Sequence, residues 1–203
     1  MKLGLTGGIG CGKSTVVGFF KGLGWRTLES DAIVRDLLSC DPEVIAAIRT
    51  RWGESVFSDL DQIDRKALAK IVFASKEDLR WLESLLHPKV RKIWTAALAN
   101  DPDAKWLVEI PLLFEKSLES EFDFVVSVVS PAQLVEQRMA DRGYSKVEVS
   151  QRRSRQIPLE KKARLADYVI TNSGNLEFLE KQTTRLSHQL TTVAGNCLKQ
   201  PGC

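Results

Sequence analysis

The segment Gly7-Gly8-Ile9-Gly10-Cys11-Gly12-Lys13-Ser14 has the residue types and spacing of a phosphate cradle, G-x-x-x-x-G-K-[ST]. Glycines let the backbone curl until successive N–H groups point into one concavity, and a Cβ there would intrude on a bound anion. A helix that follows such a loop adds the positive end of its dipole. On this pattern Gly8, Gly10, Cys11, Gly12, Lys13, Ser14 and Thr15 are the candidate ATP-binding residues. Lys13 is expected to reach the β- and γ-phosphates, and the Ser14 hydroxyl to ligate Mg²⁺. Cys11 has two readings: a thiol activated by the helix N-terminus, or a small residue that offers only its backbone N–H.

A phosphate cradle serves kinases, GTPases and motor-like ATPases alike. The guanine-reading N-K-x-D segment and the L-S-G-G-Q segment are both absent from the chain. Transfer to a small acceptor requires a carboxylate near the acceptor hydroxyl and arginines over the moving phosphoryl group. Asp31 is the candidate carboxylate. It follows the second predicted strand and should emerge at the carboxyl edge of a sheet, beside the cradle, where ligands gather in open α/β folds. The stretch from Arg138 to Arg164 is strongly basic, with Glu148 and Glu160 its only carboxylates after Asp141. It reads as a mobile lid, although a solvated basic face would account for many of the same side chains. Glu109 closes a predicted strand. It reads either as a carboxylate that holds Mg²⁺ through water or as the buried partner of a basic side chain.

The elements that must position these residues follow from hydrophobic period and punctuation. Short apolar runs at Lys2–Thr6, Arg26–Leu28, Trp106–Ile110, Phe122–Val129 and Asp167–Thr171 predict strands. Helical spacing is clear in Ser14–Leu23, with Val16, Val17, Phe19, Phe20 and Leu23 on one face. Ser30 or Asp31 should cap a helix to Leu38, and Asp64 and Ser75 should cap two more. Pro88 is expected to break or kink the long stretch that starts at Lys76. Further helices are predicted from Pro131 to Arg142, across Ser145–Leu165, and from Leu176 to about Leu190, followed by a polar tail. Strands that alternate with helices predict an α/β fold: a parallel five-stranded sheet flanked by helices. The core would comprise residues 1–37, 101–130 and 166–203. Residues 38–100 would form an inserted helical substrate domain, and residues 131–165 the lid.

The bulk properties agree. The 203 residues are 43% hydrophobic and 27% charged, enough apolar material for one compact core and too polar for a membrane protein. No apolar run is long enough to cross a bilayer, and the N-terminal residues show no signal segment. A net charge of +3 does not argue for nucleic acid. Cys11, Cys40, Cys197 and Cys203 have no zinc spacing and only two histidines to join them, so a reducing cytoplasm is the simplest setting.

Several further segments resemble one family, dephospho-CoA kinase. Leu5–Ser14 resembles its LTGGIGSGKS start, with Cys11 in place of serine. Glu29-Ser30-Asp31-Ala32-Ile33-Val34-Arg35 is similar to DADxIxR, His87-Pro88-Lys89-Val90-Arg91 to HPxVR, and Pro111-Leu112-Leu113-Phe114-Glu115 to PLLFE. Gln156, then Lys161 or Lys162, then Ala166–Gly174, resembles the Q…K…ADyVIxNxG ending. The resemblance implies a P-loop kinase that moves the γ-phosphate of ATP–Mg²⁺ to the ribose 3′-hydroxyl of dephospho-CoA. It implies Asp31 as base, with Lys13 and Arg138 as phosphate cations. Asn172 and Gly174 would lie near adenine, and Asp31, His87, Arg91 and Leu112 at the dephospho-CoA site. A monomer without nucleic-acid or membrane partners is expected. Glu29 departs from the first Asp of DAD and Thr171 from a common Asp. Without the resemblance, His87 reads first as a helix-end histidine beside Pro88. Two other functions remain open at this point: a kinase for another nucleotide-like acceptor, and a regulatory ATPase that binds nucleotide without transfer.

Overall fold

The computed structural model describes residues 1–197. Five strands form one sheet in the order β2-β3-β1-β4-β5: β1 (Lys2–Gly7), β2 (Arg26–Glu29), β3 (Trp106–Glu109), β4 (Phe124–Val129) and β5 (Tyr168–Thr171). The register is parallel, with Leu3 opposite both Leu107 and Phe124, and Val128 opposite Ile170. Parallel neighbours require crossovers, and helices supply them. After β1 the chain builds one side of the sheet, and from β4 onward it builds the other. The carboxyl end of β1 therefore lies where the connections diverge, the place where open α/β sheets gather ligands.

The chain divides into two compact units. One combines residues 1–28 with the chain from Asp101 onward, and the other is Glu29–Asn100. In the first, α1 (Lys13–Gly22) buries Val16, Val17 and Phe20. The long α9 (Leu176–Cys197) packs on it, and Trp25 ties the two by donating its indole N–H to Ser187 Oγ at 2.8 Å. Along the same chain lie α6 (Ala132–Asp141), α7 (Lys146–Arg153) and α8 (Leu159–Leu165). The second unit is helical, with α2 (Ser30–Cys40), α3 (Pro42–Trp52), α4 (Arg65–Ala74) and α5 (Lys76–Asn100). Asp41 and Asp64 cap α3 and α4 through backbone N–H groups. Val44, Ile48, Leu68, Val72, Leu86 and Trp94 make its core.

Several expectations from the sequence change. Pro88 does not end a helix, because α5 runs through it from Lys76 to Asn100. Proline removes one ladder bond, but the buried stripe Leu86, Val90, Trp94 and Leu98 continues on both sides and holds the register. The strand expected from Phe122 starts at Phe124, because the Phe122 N–H closes a turn onto the Glu119 carbonyl at 3.2 Å. Ser30 opens α2 rather than capping it. Glu29 occupies the cap position, with no side-chain bond. The basic stretch is two helices, α7 and α8, with Pro158 at the cap of the second. The last helix continues past Leu190 to Cys197, and the tail expected beyond it lies outside the described residues.

Candidate active site

The cradle is built on the turn between β1 and α1, from Gly8 to Gly12. Gly7 and Gly12 show why glycine is needed. Both have positive φ, 147° and 94°, which side chains rarely adopt. A Cβ on Gly7 would overlap the Val128 carbonyl of β4, and one on Gly12 would overlap the Asn172 amide nitrogen. Lys13 lies at the start of α1. Its ammonium donates to the Gly8 carbonyl at 3.2 Å and lies 3.6 Å from Glu109 Oε1. Glu109 is only 5% exposed, and this ion pair is the buried-partner reading of that residue. Ser14 is exposed on the first turn of α1, and Thr15 is half-buried behind it.

Cys11 is buried and its thiol is free. Burial pushes the thiol pKa above its ordinary value and outweighs the opposing pull of Lys13. That direction favours the thiol over the thiolate, in keeping with a small residue that offers its backbone N–H.

Behind the cradle a buried network joins residues far apart in the chain. Asn172, just past β5, donates from Nδ2 to the Cys11 carbonyl at 2.9 Å. Its Oδ1 accepts from Arg138 Nη2 at 3.1 Å. Ser130 Oγ donates to the Asn172 carbonyl at 2.7 Å and accepts from Arg138 Nη1 at 3.1 Å. Arg138 is in the last turn of α6. Gly174 lies two residues past Asn172, close against Phe178 at the start of α9. The phosphate loop, Arg138 and Asn172 are therefore brought together. Nothing in the sequence marked Ser130 as part of this group, since a serine before a proline reads as a strand end.

A second buried group lies on the PLLFE turn. Lys162, on α8, is 0% exposed. It donates to the Pro111 carbonyl and lies 3.0 Å from Glu115 Oε1, which also accepts the Ile157 N–H at 2.9 Å. Burial lowers the Lys162 pKa, while Glu115 works against that shift. The sequence counts Lys162 among the lid cations. It is instead a buried strut, whereas Lys161 next to it is exposed, which resolves which lysine of the motif has a structural partner. Leu112 is half-buried on the same turn.

The remaining candidates belong to the helical unit. Asp31 is exposed in the first turn of α2. His87 and Arg91 are one turn apart on α5, hence on one face, and α2 packs against α5. His87 is in mid-helix, which overturns the helix-end reading of that residue.

Comparison with known proteins adds identity to this geometry. The family model described as "Dephospho-CoA kinase" matches residues 1–177. A dephospho-CoA kinase of Aquifex aeolicus is 35% identical over 191 residues, covering 94% of this chain and 97% of its own. That of Carboxydothermus hydrogenoformans is 39% identical over 185 residues, covering 89% of each. Among solved structures, TT1252 from Thermus thermophilus superposes with a TM-score of 0.78 at 34% identity, covering 94% of this chain and 97% of its own. The dephospho-CoA kinase from Campylobacter jejuni superposes with a TM-score of 0.70 at 26% identity, covering 96% of this chain and 100% of its own. With its phosphate loop, its HPxVR and PLLFE segments and this match along nearly all of its length, the chain belongs to the dephospho-CoA kinase family.

Proposed function

We propose that this protein transfers the γ-phosphoryl group of ATP to the ribose 3′-hydroxyl of dephospho-CoA, giving ADP and coenzyme A. The observation that carries this reading is the Gly8–Ser14 loop, with Lys13 fixed between the Gly8 carbonyl and Glu109, in a chain of this family. In the proposed step the acceptor oxygen attacks the γ-phosphorus and the bond to the β–γ bridging oxygen breaks. The hydroxyl proton passes to Asp31. Such transfers depend on positioning and charge neutralisation more than on covalent help from the protein. Lys13, the loop amides and Arg138 would neutralise the phosphates. Asp31, His87, Arg91 and Leu112 would hold the acceptor, and Gly174 would border the adenine. Residues 38–100 would serve as the acceptor domain and residues 131–165 as the lid.

Magnesium fits the donors present. Among the described residues no group of three or more His, Cys, Asp or Glu side chains could cage a metal. The exposed Ser14 hydroxyl instead suits an ion that arrives with the phosphates and keeps several waters. Bound there, it would offset the charge developing on the β- and γ-oxygens. Lys13 and Ser14 orient the phosphates, and Asp31 receives the proton. Among the described residues no helix is long and apolar enough to cross a membrane. The reading includes a cytoplasmic monomer without nucleic-acid or membrane partners.

A coupled ADP-release assay with a panel of acceptors tests the proposal. ADP should appear with dephospho-CoA and not with adenosine, shikimate or a nucleoside monophosphate. Turnover with one of those acceptors and none with dephospho-CoA would refute it.

A further inference from the structure

The peptide carbonyls of a phosphate loop point away from the anion when its N–H groups point inward, and a buried carbonyl must find a donor elsewhere. For Cys11 that donor is the Asn172 side-chain amide, at 2.9 Å. The same amide accepts from Arg138 at 3.1 Å. Asparagine and glutamine alone carry both a two-hydrogen donor and an acceptor on one planar group. With Nδ2 toward a carbonyl and Oδ1 toward a guanidinium, only one orientation of the amide makes both bonds. Ser130 Oγ then bridges the Asn172 carbonyl to the other Arg138 nitrogen, so the guanidinium is held at two points. Asn172 is 7% exposed, and its nitrogen occupies the space that a Cβ on Gly12 would need. Both polar ends of its side chain are therefore engaged within the protein.

We propose that Asn172 is a positioning residue. Its amide fixes the Cys11 carbonyl and, through Arg138, sets the direction of that cation relative to the loop, so that two sources of phosphate binding act as one rigid piece. This rests on the proposed ATP-binding role of the loop, and it gives the Asn172 side chain an indirect part in that binding. The Gly12 glycine follows from it, since the loop gives up a side chain to make room for the amide.

The test is a double-mutant cycle on ATP binding, measured calorimetrically with magnesium and without acceptor, using Asn172→Ala, Arg138→Ala and the pair. Each single change should weaken ATP binding about tenfold, and the pair should be no more than about threefold weaker than the worse single, because interacting groups are not additive. Multiplied effects, near a hundredfold for the pair, would overturn the proposal. Those are the effects expected if Asn172 touched the nucleotide or merely stabilised the fold. Thermal unfolding of each variant accompanies the cycle, and Asn172→Ser replaces the alanine variant should the latter not fold. Asn172→Asp separates the two arms. It keeps an acceptor for Arg138 but sets a carboxylate oxygen against the Cys11 carbonyl, so it should weaken ATP binding about tenfold or more by the same logic. Wild-type affinity in that variant would remove the Cys11 arm and sink the proposal. Because no acceptor is present, a chain that failed to phosphorylate dephospho-CoA would still yield the cycle.

Discussion

The two units hold their polar groups in opposite ways. In the phosphate-binding unit the polar contacts behind the loop and on the PLLFE turn are buried and join distant segments: Asn172 to Cys11, Ser130 to Asn172, Lys162 to Glu115 and Pro111. In the helical unit the named pairs lie nearer the surface, although several of them also join distant segments. Arg49 pairs with Glu54 and Asp61, Lys89 with Asp41 and Glu43, and Arg51 with Asp78 while its guanidinium lies 4.9 Å from the Trp81 ring centroid. Buried, satisfied networks rigidify a site, whereas exposed pairs contribute up to about 1 kcal/mol and are screened by salt. Charge that must meet a transition state benefits from being fixed in advance. A unit proposed to receive a large acceptor has less need of it.

This contrast can be broken first at Lys13. Lys13→Met should lower turnover by roughly 10³–10⁵-fold, the scale on which a single phosphate cation acts. A loss below tenfold in the ADP-release assay would mean that the loop amides and Arg138 suffice. Asp31→Asn comes next, on the helical side. It should cost about 10²–10⁴ in turnover, the range of a positioned base, while ATP affinity measured by calorimetry stays within about twofold. Normal turnover would remove Asp31 from the chemistry and leave the helical unit with a binding role alone.

The difference between the units also explains what was legible in the sequence. The phosphate loop could be read because its chemistry needs consecutive residues: glycines for curvature, then Lys13 and Ser14. The sheet could be read because short apolar runs such as Leu107-Val108 and Val125-Val126 suit strands covered on both faces. The Asn172–Arg138–Ser130 group could not, since it depends on how β4, β5 and α6 meet and has no spacing of its own. Lys162 looked like one more cation of a basic helix. Only packing decides that it is buried while Lys161 is exposed. Pro88 misled for a related reason: the local rule against proline is weaker than the tertiary contacts on either side of it. Asp31 was singled out by its place after the second predicted strand, whereas His87 and Arg91 were singled out only through family resemblance, for a histidine and an arginine on one helix face carry no distinctive pattern.

Buried charge gives the next test, read in stability rather than rate. Lys162→Met would leave Glu115 facing the Pro111 carbonyl and the Ile157 N–H without its cation. Removing one partner of a buried pair costs roughly 3–5 kcal/mol, which thermal or urea unfolding would register as a large drop. Glu115→Gln in the same chain should recover much of that loss, since the uncompensated carboxylate is gone and an amide oxygen can still accept from Ile157. The corresponding change in the helical unit, Arg51→Met, should lower the unfolding midpoint far less, because water screens that pair. Equal losses at the two sites would erase the distinction between the units.

The smallest effect sharpens the comparison through acid. Hydrogen bonds from the Val44 N–H and the Lys89 ammonium hold the Asp41 carboxyl below its ordinary value, and the Arg51 guanidinium does the same for Asp78. A carboxylate with a lowered folded-state pKa binds fewer protons folded than unfolded in the window between that pKa and 3.8. Its contribution is therefore complete above 3.8 and is lost as the pH falls through the folded value. Urea unfolding followed by tryptophan fluorescence should show little change from neutral pH down to about 5 and a decline below 4. Asp78→Asn removes one titrating group, so the variant should start less stable at neutral pH and lose less on acidification than the parent. A variant whose stability falls with pH as steeply as the parent's would show that the Arg51 pair does not set the acid response of the helical unit.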